Sequence, residues 1–171
     1  MLKRPAADEY APYYGTYISL VPEGDVRDHL RIQLQETVSM LSGVSDEKAR
    51  QAYGAGKWTL KEALLHMTDA ERVFSYRLLR IARGDTTPLP GFEQDDWVPN
   101  SGANIRSVAS LLLEFASVRA GTLQLMDSLD ASALARTGTA SGKTVSARAL
   151  AYIVAGHERH HQRILRERYL A

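Results

Sequence analysis

The chain has 171 residues, enough for one domain with a sizeable core. Its 21 basic and 20 acidic side chains leave a formal charge of +1, which excludes a general field for nucleic acid or an acidic surface. There is no cysteine, so disulfides and thiolate metal ligands are excluded, and any thiol chemistry must use a thiol from outside.

The first ten residues lack an apolar signal core, and no run approaches the ~20 apolar residues of a membrane helix. A cytoplasmic protein without membrane or nucleic-acid partners is expected. Residues 1–24 carry Pro5, Pro12 and Pro22 with Tyr10, Tyr13, Tyr14 and Tyr17 but no helical period, and read as an extended arm packing its rings across the domain. Val26, Leu30, Leu34, Val38 and Leu41 then step by three and four, predicting a first amphipathic helix over about 25–41 that stops at Gly43. Residues 45–50 make at most a short turn. A second helix opens at Thr59-Leu60-Lys61-Glu62, a capping box, and runs to about residue 83, where Gly84 ends it. The stretch GDTTPLPGFEQDDWVPNSGAN, residues 84–104, is unusually long for a connection inside a domain. Twenty extended residues span a helix of about 25 residues, or about 37 Å, so the length of this crossover allows helices two and three to run parallel. A third helix follows over about 105–128 on Val108, Leu111, Leu112, Phe115, Val118, Leu125 and Met126. TGTASGKT, residues 137–144, reads as a loop, and a fourth helix covers about 145–169. The expected fold is all-α: a single four-helix-bundle domain over 1–171 with a long crossover between helices 2 and 3.

Chemistry concentrates on the fourth helix. The apolar stripe through Leu150, Val154, Ile164 and Leu165 also passes through His157 and His161. At i, i+4 spacing their Cβ atoms lie within about 6 Å, so both rings reach one metal ion. Two packed core histidines are the alternative. Residues 157–161 also fit H-E-x-x-H, the zinc-protease pattern in which the Glu is general base. Such proteases take their third ligand downstream, yet the residues after His161 include no histidine and only Glu167 as an acid. Glu158 stands about 100° round the helix from His157 and need not face a metal. The third ligand must come from upstream, where His66 shares a helix line with Glu62, Ala70, Val73 and Arg77 and is the candidate. Asp69 and Glu62, about one turn either side of His66, are candidates to orient an imidazole, and Glu62 also to act as a fourth ligand or base. The competing roles are a salt bridge for Asp69 and the capping box alone for Glu62. His160 and His29 are expected at the surface, and the arginines of helices two and four on ion-paired surfaces.

One histidine on helix two and a His-x-x-x-His pair on helix four resemble the layout of the DinB-like superfamily of small bacterial four-helix proteins, also called YfiT-like. The likeness runs from YISLVPEGD (17–25) through 56–92 to SARALAYIVAGHERHHQRILRERYL (146–170). It implies an up-down-down-up bundle, metal ligands at His66, His157 and His161, and a homodimer. The ion implied is a divalent one: nickel, zinc, iron or manganese. Relatives by this resemblance include thiol-dependent enzymes, namely a mycothiol-dependent isomerase and bacillithiol or glutathione S-transferases.

Three neutral imidazoles leave a divalent ion its full charge and at least one open position, as in catalytic sites. The function expected is therefore that of a metal-dependent enzyme on a small-molecule substrate. It is either a hydrolase or a thiol (S-)transferase, the latter with a low-molecular-weight thiol. A non-catalytic metal- or ligand-binding dimer in stress response is the alternative.

Overall fold

The computed structural model describes residues 2–171. Each of its four long helices starts at a side chain that satisfies an amide the helix itself leaves bare. Asp25 accepts from the Arg27 amide at the head of α1, Val26–Leu41. The capping box of α2, Leu60–Ala82, forms in both directions: Thr59 Oγ1 accepts from the Glu62 amide at 3.1 Å, and Glu62 Oε2 from the Thr59 amide at 2.8 Å. Ser107 caps α3, Val108–Asp127, and Ser146 caps α4, Ala147–Ile164. A residue without a side chain is required at Gly84, where φ is +82° and the chain leaves α2. Beyond Ile164 the last turn, Leu165–Tyr169, widens to π geometry.

Cross-links between helices fix their directions. Lys61 donates to the Arg106 carbonyl, Arg72 pairs with Glu114 and Arg119 with Glu71, so residue numbers rise together and α2 and α3 are parallel. Arg31 at the middle of α1 reaches Asp127 at the end of α3, while Val38 and Ser42 share a groove with Ala109 and Leu112; these two helices are antiparallel. The later half of α2 packs with the early half of α4 in one apolar cluster, and its early half with Leu165 in the other, so α4 reverses again. The result is a four-helix bundle of up-down-down-up order, in which α3 and α4 each pack against both α1 and α2. Among the described residues no helix is long and apolar enough to cross a membrane.

Two segments differ from the sequence expectation. Residues 137–144 are not a loop: Thr137–Ala140 (β1) and Lys143–Ser146 (β2) form an antiparallel hairpin, in register Thr137 to Ser146 and Ala140 to Lys143. Its two-residue tip, Ser141 and Gly142, has φ of +51° and +72°, as a tight hairpin turn matched to strand twist demands. Small-residue composition masked this strand pair. Gly138 has its reason in packing, because a Cβ there would lie 2.7 Å from Ile81 Cγ1 of α2. The crossover joins the hairpin through Leu89, which receives from Ser141 and donates to Thr139.

The amino-terminal arm is not extended either. It folds into 3-10 turns at Ala7–Glu9 and Pro12–Tyr14 and a short helix, Gly15–Ile18. Neither an apolar period nor a strong cap announces these turns. They are held from outside, by Arg148 and Ser146 on Glu9 and by Tyr152 on the Leu2 carbonyl.

Candidate metal centre

His66 lies in the second turn of α2, on the stripe that carries Ala63, Ala70 and Phe74 into the core; His157 and His161 lie one turn apart on α4. Because α2 and α4 are antiparallel neighbours, the three rings meet. All are buried, with exposures of 5, 6 and 9%. His157 Nε2 stands 3.2 Å from His66 Nε2 and 3.2 Å from His161 Nε2. The three ring nitrogens fall within 4.8 Å of one another.

A divalent ion fits this donor set. Two nitrogens at about 2.0–2.1 Å from one tetrahedral zinc stand about 3.4 Å apart, close to the observed spacing. Packed imidazoles have little other reason to converge three Nε2 atoms, since one nitrogen carries a single proton or a single lone pair. Aromatic edges close the surroundings: Tyr17 and Phe74 lie 5.4 and 5.8 Å from His157, centroid to centroid, and Trp58 lies 4.8 Å from His66. Burial lowers the His66 pKa to about 4, with Asp95 pulling weakly the other way. Burial, reinforced by the neighbouring imidazoles, pushes His157 and His161 well below the usual range. At neutral pH all three are uncharged donors.

This has a consequence for the metal-free chain. The unfolded imidazoles take up protons near pH 6.5, whereas folded His66 resists protonation down to about 4. Between these values the unfolded state binds more protons, so stability is full above about pH 6.5 and falls as pH drops toward 4. Urea midpoints of chelator-treated protein at pH 7.5, 6 and 5 are expected to decrease in that order, less steeply for His66→Ala. A flat series contradicts the buried, neutral assignment.

The other sequence candidates lie near the rings but are engaged elsewhere. Glu62 is taken up by the Thr59 amide and by Asn104 Nδ2 at 3.0 Å. Asp69 pairs with Arg72 at 2.9 Å, the salt-bridge role rather than a bond to an imidazole. Glu158, the general base of the protease pattern, turns away into the core: Thr37, Gln33 and Arg119 donate to it at 2.7–3.1 Å. His160 is half-buried, its ring 5.4 Å from Tyr17 and 5.2 Å from His161. His29 bonds to the Glu23 carbonyl, away from the cluster.

Three features of the site were not read from the sequence. Tyr17 covers His157 because the backbone of the short helix Gly15–Ile18 lies directly on Gly156. Asp95, on the crossover turn Gln94–Trp97, opens into the same cleft as His161, Trp58 and Tyr169, with a volume of about 550 Å³. A smaller cavity of about 150 Å³ is lined by His66 and His157 together with Tyr13, Tyr14 and Phe92. The available signal was the company these residues keep: an aromatic-rich arm and an overlong crossover with no core of their own.

Comparisons with known proteins bear on the family and the fold. A family model, the DinB superfamily, matches residues 29–165. A protein of Oceanobacillus iheyensis named "putative metal-dependent hydrolase" is 30% identical over 74 residues, 43% of this chain; the chain spans only 40% of that relative's length. The solved structure of YfiT from Bacillus subtilis, described as a probable metal-dependent hydrolase with an unusual four-helix bundle topology, superposes with a TM-score of 0.69. That likeness, at 13% identity, covers 96% of this chain and 92% of the other and shows the shared fold.

Proposed function

We propose that this chain, which belongs to the DinB superfamily, is a metal-dependent hydrolase in which His66, His157 and His161 hold one divalent ion. The observation that carries the reading is the meeting of three buried Nε2 atoms from two helices. The name of the Oceanobacillus relative, a metal-dependent hydrolase, supports it. These three residues would hold the ion, which when bound would supply Lewis acidity and a water of lowered pKa, about 7 instead of 15.7.

The chain's own residues do the rest. Tyr17, Phe74 and Trp58 wall the imidazoles from bulk water and fix their orientation. Asp95 is the carboxylate that lines the cleft with His161, and in this reading it accepts a proton at its carboxylate oxygen. The two cavities give substrate and water separate approaches to the histidines.

The test is hydrolysis of a panel of carboxylic and phosphoric esters by protein loaded in turn with zinc, nickel, manganese and iron, with and without added thiol. Metal-dependent turnover without thiol is expected. Turnover only with thiol replaces hydrolysis by transfer to a low-molecular-weight thiol. Stoichiometric metal without turnover of any ester leaves a binding protein.

A further inference from the structure

Among the described residues two arginines are buried, and their circumstances differ. Arg119, 0% exposed, meets two carboxylates. Arg77, 3% exposed, meets none among the described residues: its Nη2 donates to the Pro90 carbonyl at 2.7 Å and to Ser141 Oγ at 3.1 Å. Its guanidinium lies 5.8 Å from the centroid of the Phe92 ring. Five residues earlier Arg72, which lines the same larger space, is neutralised by Asp69 and Glu114. A guanidinium withdrawn from water with only neutral acceptors is a standing demand for an anion.

Arg77 also stands at a junction. Together with Phe92 it lines the small cavity that reaches His66 and His157, and it lines a second space of about 440 Å³ with Val73, Tyr76, Leu89 and Trp97. That second space is walled largely by apolar groups. Arg77 follows His66 by three helical turns, about 16 Å along the axis at 1.5 Å per residue, on nearly the same face. Ala70 and Phe74, which stand between them on α2, line the small cavity with both. The hairpin and the crossover complete the junction, because Ser141 and Pro90 hold the guanidinium and the Ser141 amide is tied to Leu89.

From this juxtaposition we infer that Arg77 anchors the substrate's anionic group. The substrate is an acid, carboxylate or phosphate, with an apolar body in the larger cavity and an ester or amide bond directed through the smaller one to the histidines. Hydrolysis adds one water across the acyl bond and releases a carboxylic acid with an alcohol or amine; no other reactant is needed. The inference rests on the hydrolase reading for the bond that is cleaved, but not for the anion.

Calorimetric titration of the full chain, with and without zinc, separates these parts. The probes are 4-phenylbutyrate, 3-phenylpropyl phosphate and the uncharged 4-phenylbutan-1-ol. One or both anions are expected to bind about 10- to 100-fold more tightly than the alcohol, and the tighter anion identifies the group the site takes. Arg77→Gln is expected to remove the preference, and Arg77→Lys to keep part of it as a point charge. Equal binding of alcohol and anions, no binding of either anion, or a preference that survives Arg77→Gln overturns the inference. Should Arg77→Gln fail to fold, the wild-type comparison and Arg77→Lys decide. Anion-selective binding by a protein without metal-dependent hydrolysis removes the hydrolase reading and leaves the anchor. Hydrolysis indifferent to the anion does the reverse.

Discussion

Exchanging Arg119 for leucine is expected to destabilise the folded chain by about 3–5 kcal/mol, the usual effect of removing one partner from a buried ion pair. Arg119 extends from α3 into the centre of the bundle. There Nε and Nη2 donate to the two oxygens of Glu71 at 2.9 and 2.7 Å, Nη2 to Glu158 at 2.8 Å, and Nη1 to the Leu30 carbonyl at 2.9 Å. Glu158 also receives from Thr37 and Gln33 of α1, so this one cluster joins all four helices. Two carboxylates share one cation, and burial raises the Glu158 pKa against the opposing pull of Arg119. Without the guanidinium both carboxyl groups, each 3% exposed in its side chain, stay in the core uncompensated. Urea denaturation measures the loss. The triple change Arg119→Leu, Glu71→Leu, Glu158→Leu is expected to recover much of it, because apolar replacement of a whole buried ionic cluster is often neutral or better. A loss below about 1 kcal/mol for the single variant contradicts this reading, since that is the scale of an exposed pair.

Gly156→Ala is the second large effect, and its sign is the informative part. Alanine in place of glycine on an open helix stabilises by about 0.5–1 kcal/mol. At Gly121 of α3, where a new Cβ meets nothing within 4 Å, that gain is expected. At Gly156 the new Cβ would lie 2.1 Å from the Tyr17 carbonyl oxygen and 2.4 Å from its carbon. Backbone cannot yield as a side-chain tip does, so the arm must lift from α4. The expected net loss is about 2–4 kcal/mol, overpacking plus the contacts the arm surrenders. The arm carries Tyr17 onto His157, so the same variant is expected to expose the histidine cluster to solvent. Paired thermal scans of Gly121→Ala and Gly156→Ala should show melting temperatures moving in opposite directions. A rise for both places the arm elsewhere.

The bundle was legible because its helices announce themselves twice, in apolar stripes and in caps. Leu30, Leu64, Phe115 and Leu150 lie where a period of 3.6 puts them, and Thr59 with Glu62 marks the start of α2. The length of the crossover allowed the parallel pair, and the family resemblance implied it. His157 and His161 stood out because they occupy stripe positions that otherwise carry aliphatic residues. The hairpin did not, since Gly138 and Ser141 were chosen by contacts with Ile81 and Leu89 that are distant in sequence. Arg119 continues the α3 stripe after Leu111 and Phe115, and a charge on an apolar stripe is the mark of a buried ionic cluster. Of its partners, Glu158 was visible only as the acid of the H-E-x-x-H match. Asp69 and Glu62 sit at the right helical spacing from His66 for a bond to it. Their carboxylates go instead to Arg72, to Asn104 and to the cap, choices that depend on the neighbouring helix.

The most direct test of the metal centre is the metal-to-protein ratio after loading with zinc and exhaustive desalting. It is measured for the wild-type chain and for His66→Ala, His157→Ala and His161→Ala, with Glu62→Gln and Asp69→Asn beside them. About one ion per chain is expected in the wild type and in the two acid variants, and a loss of most or all of it in each histidine variant. A wild-type chain that retains no ion from zinc, nickel, manganese or iron, or a His157→Ala chain that retains a full one, contradicts a centre built on these three histidines.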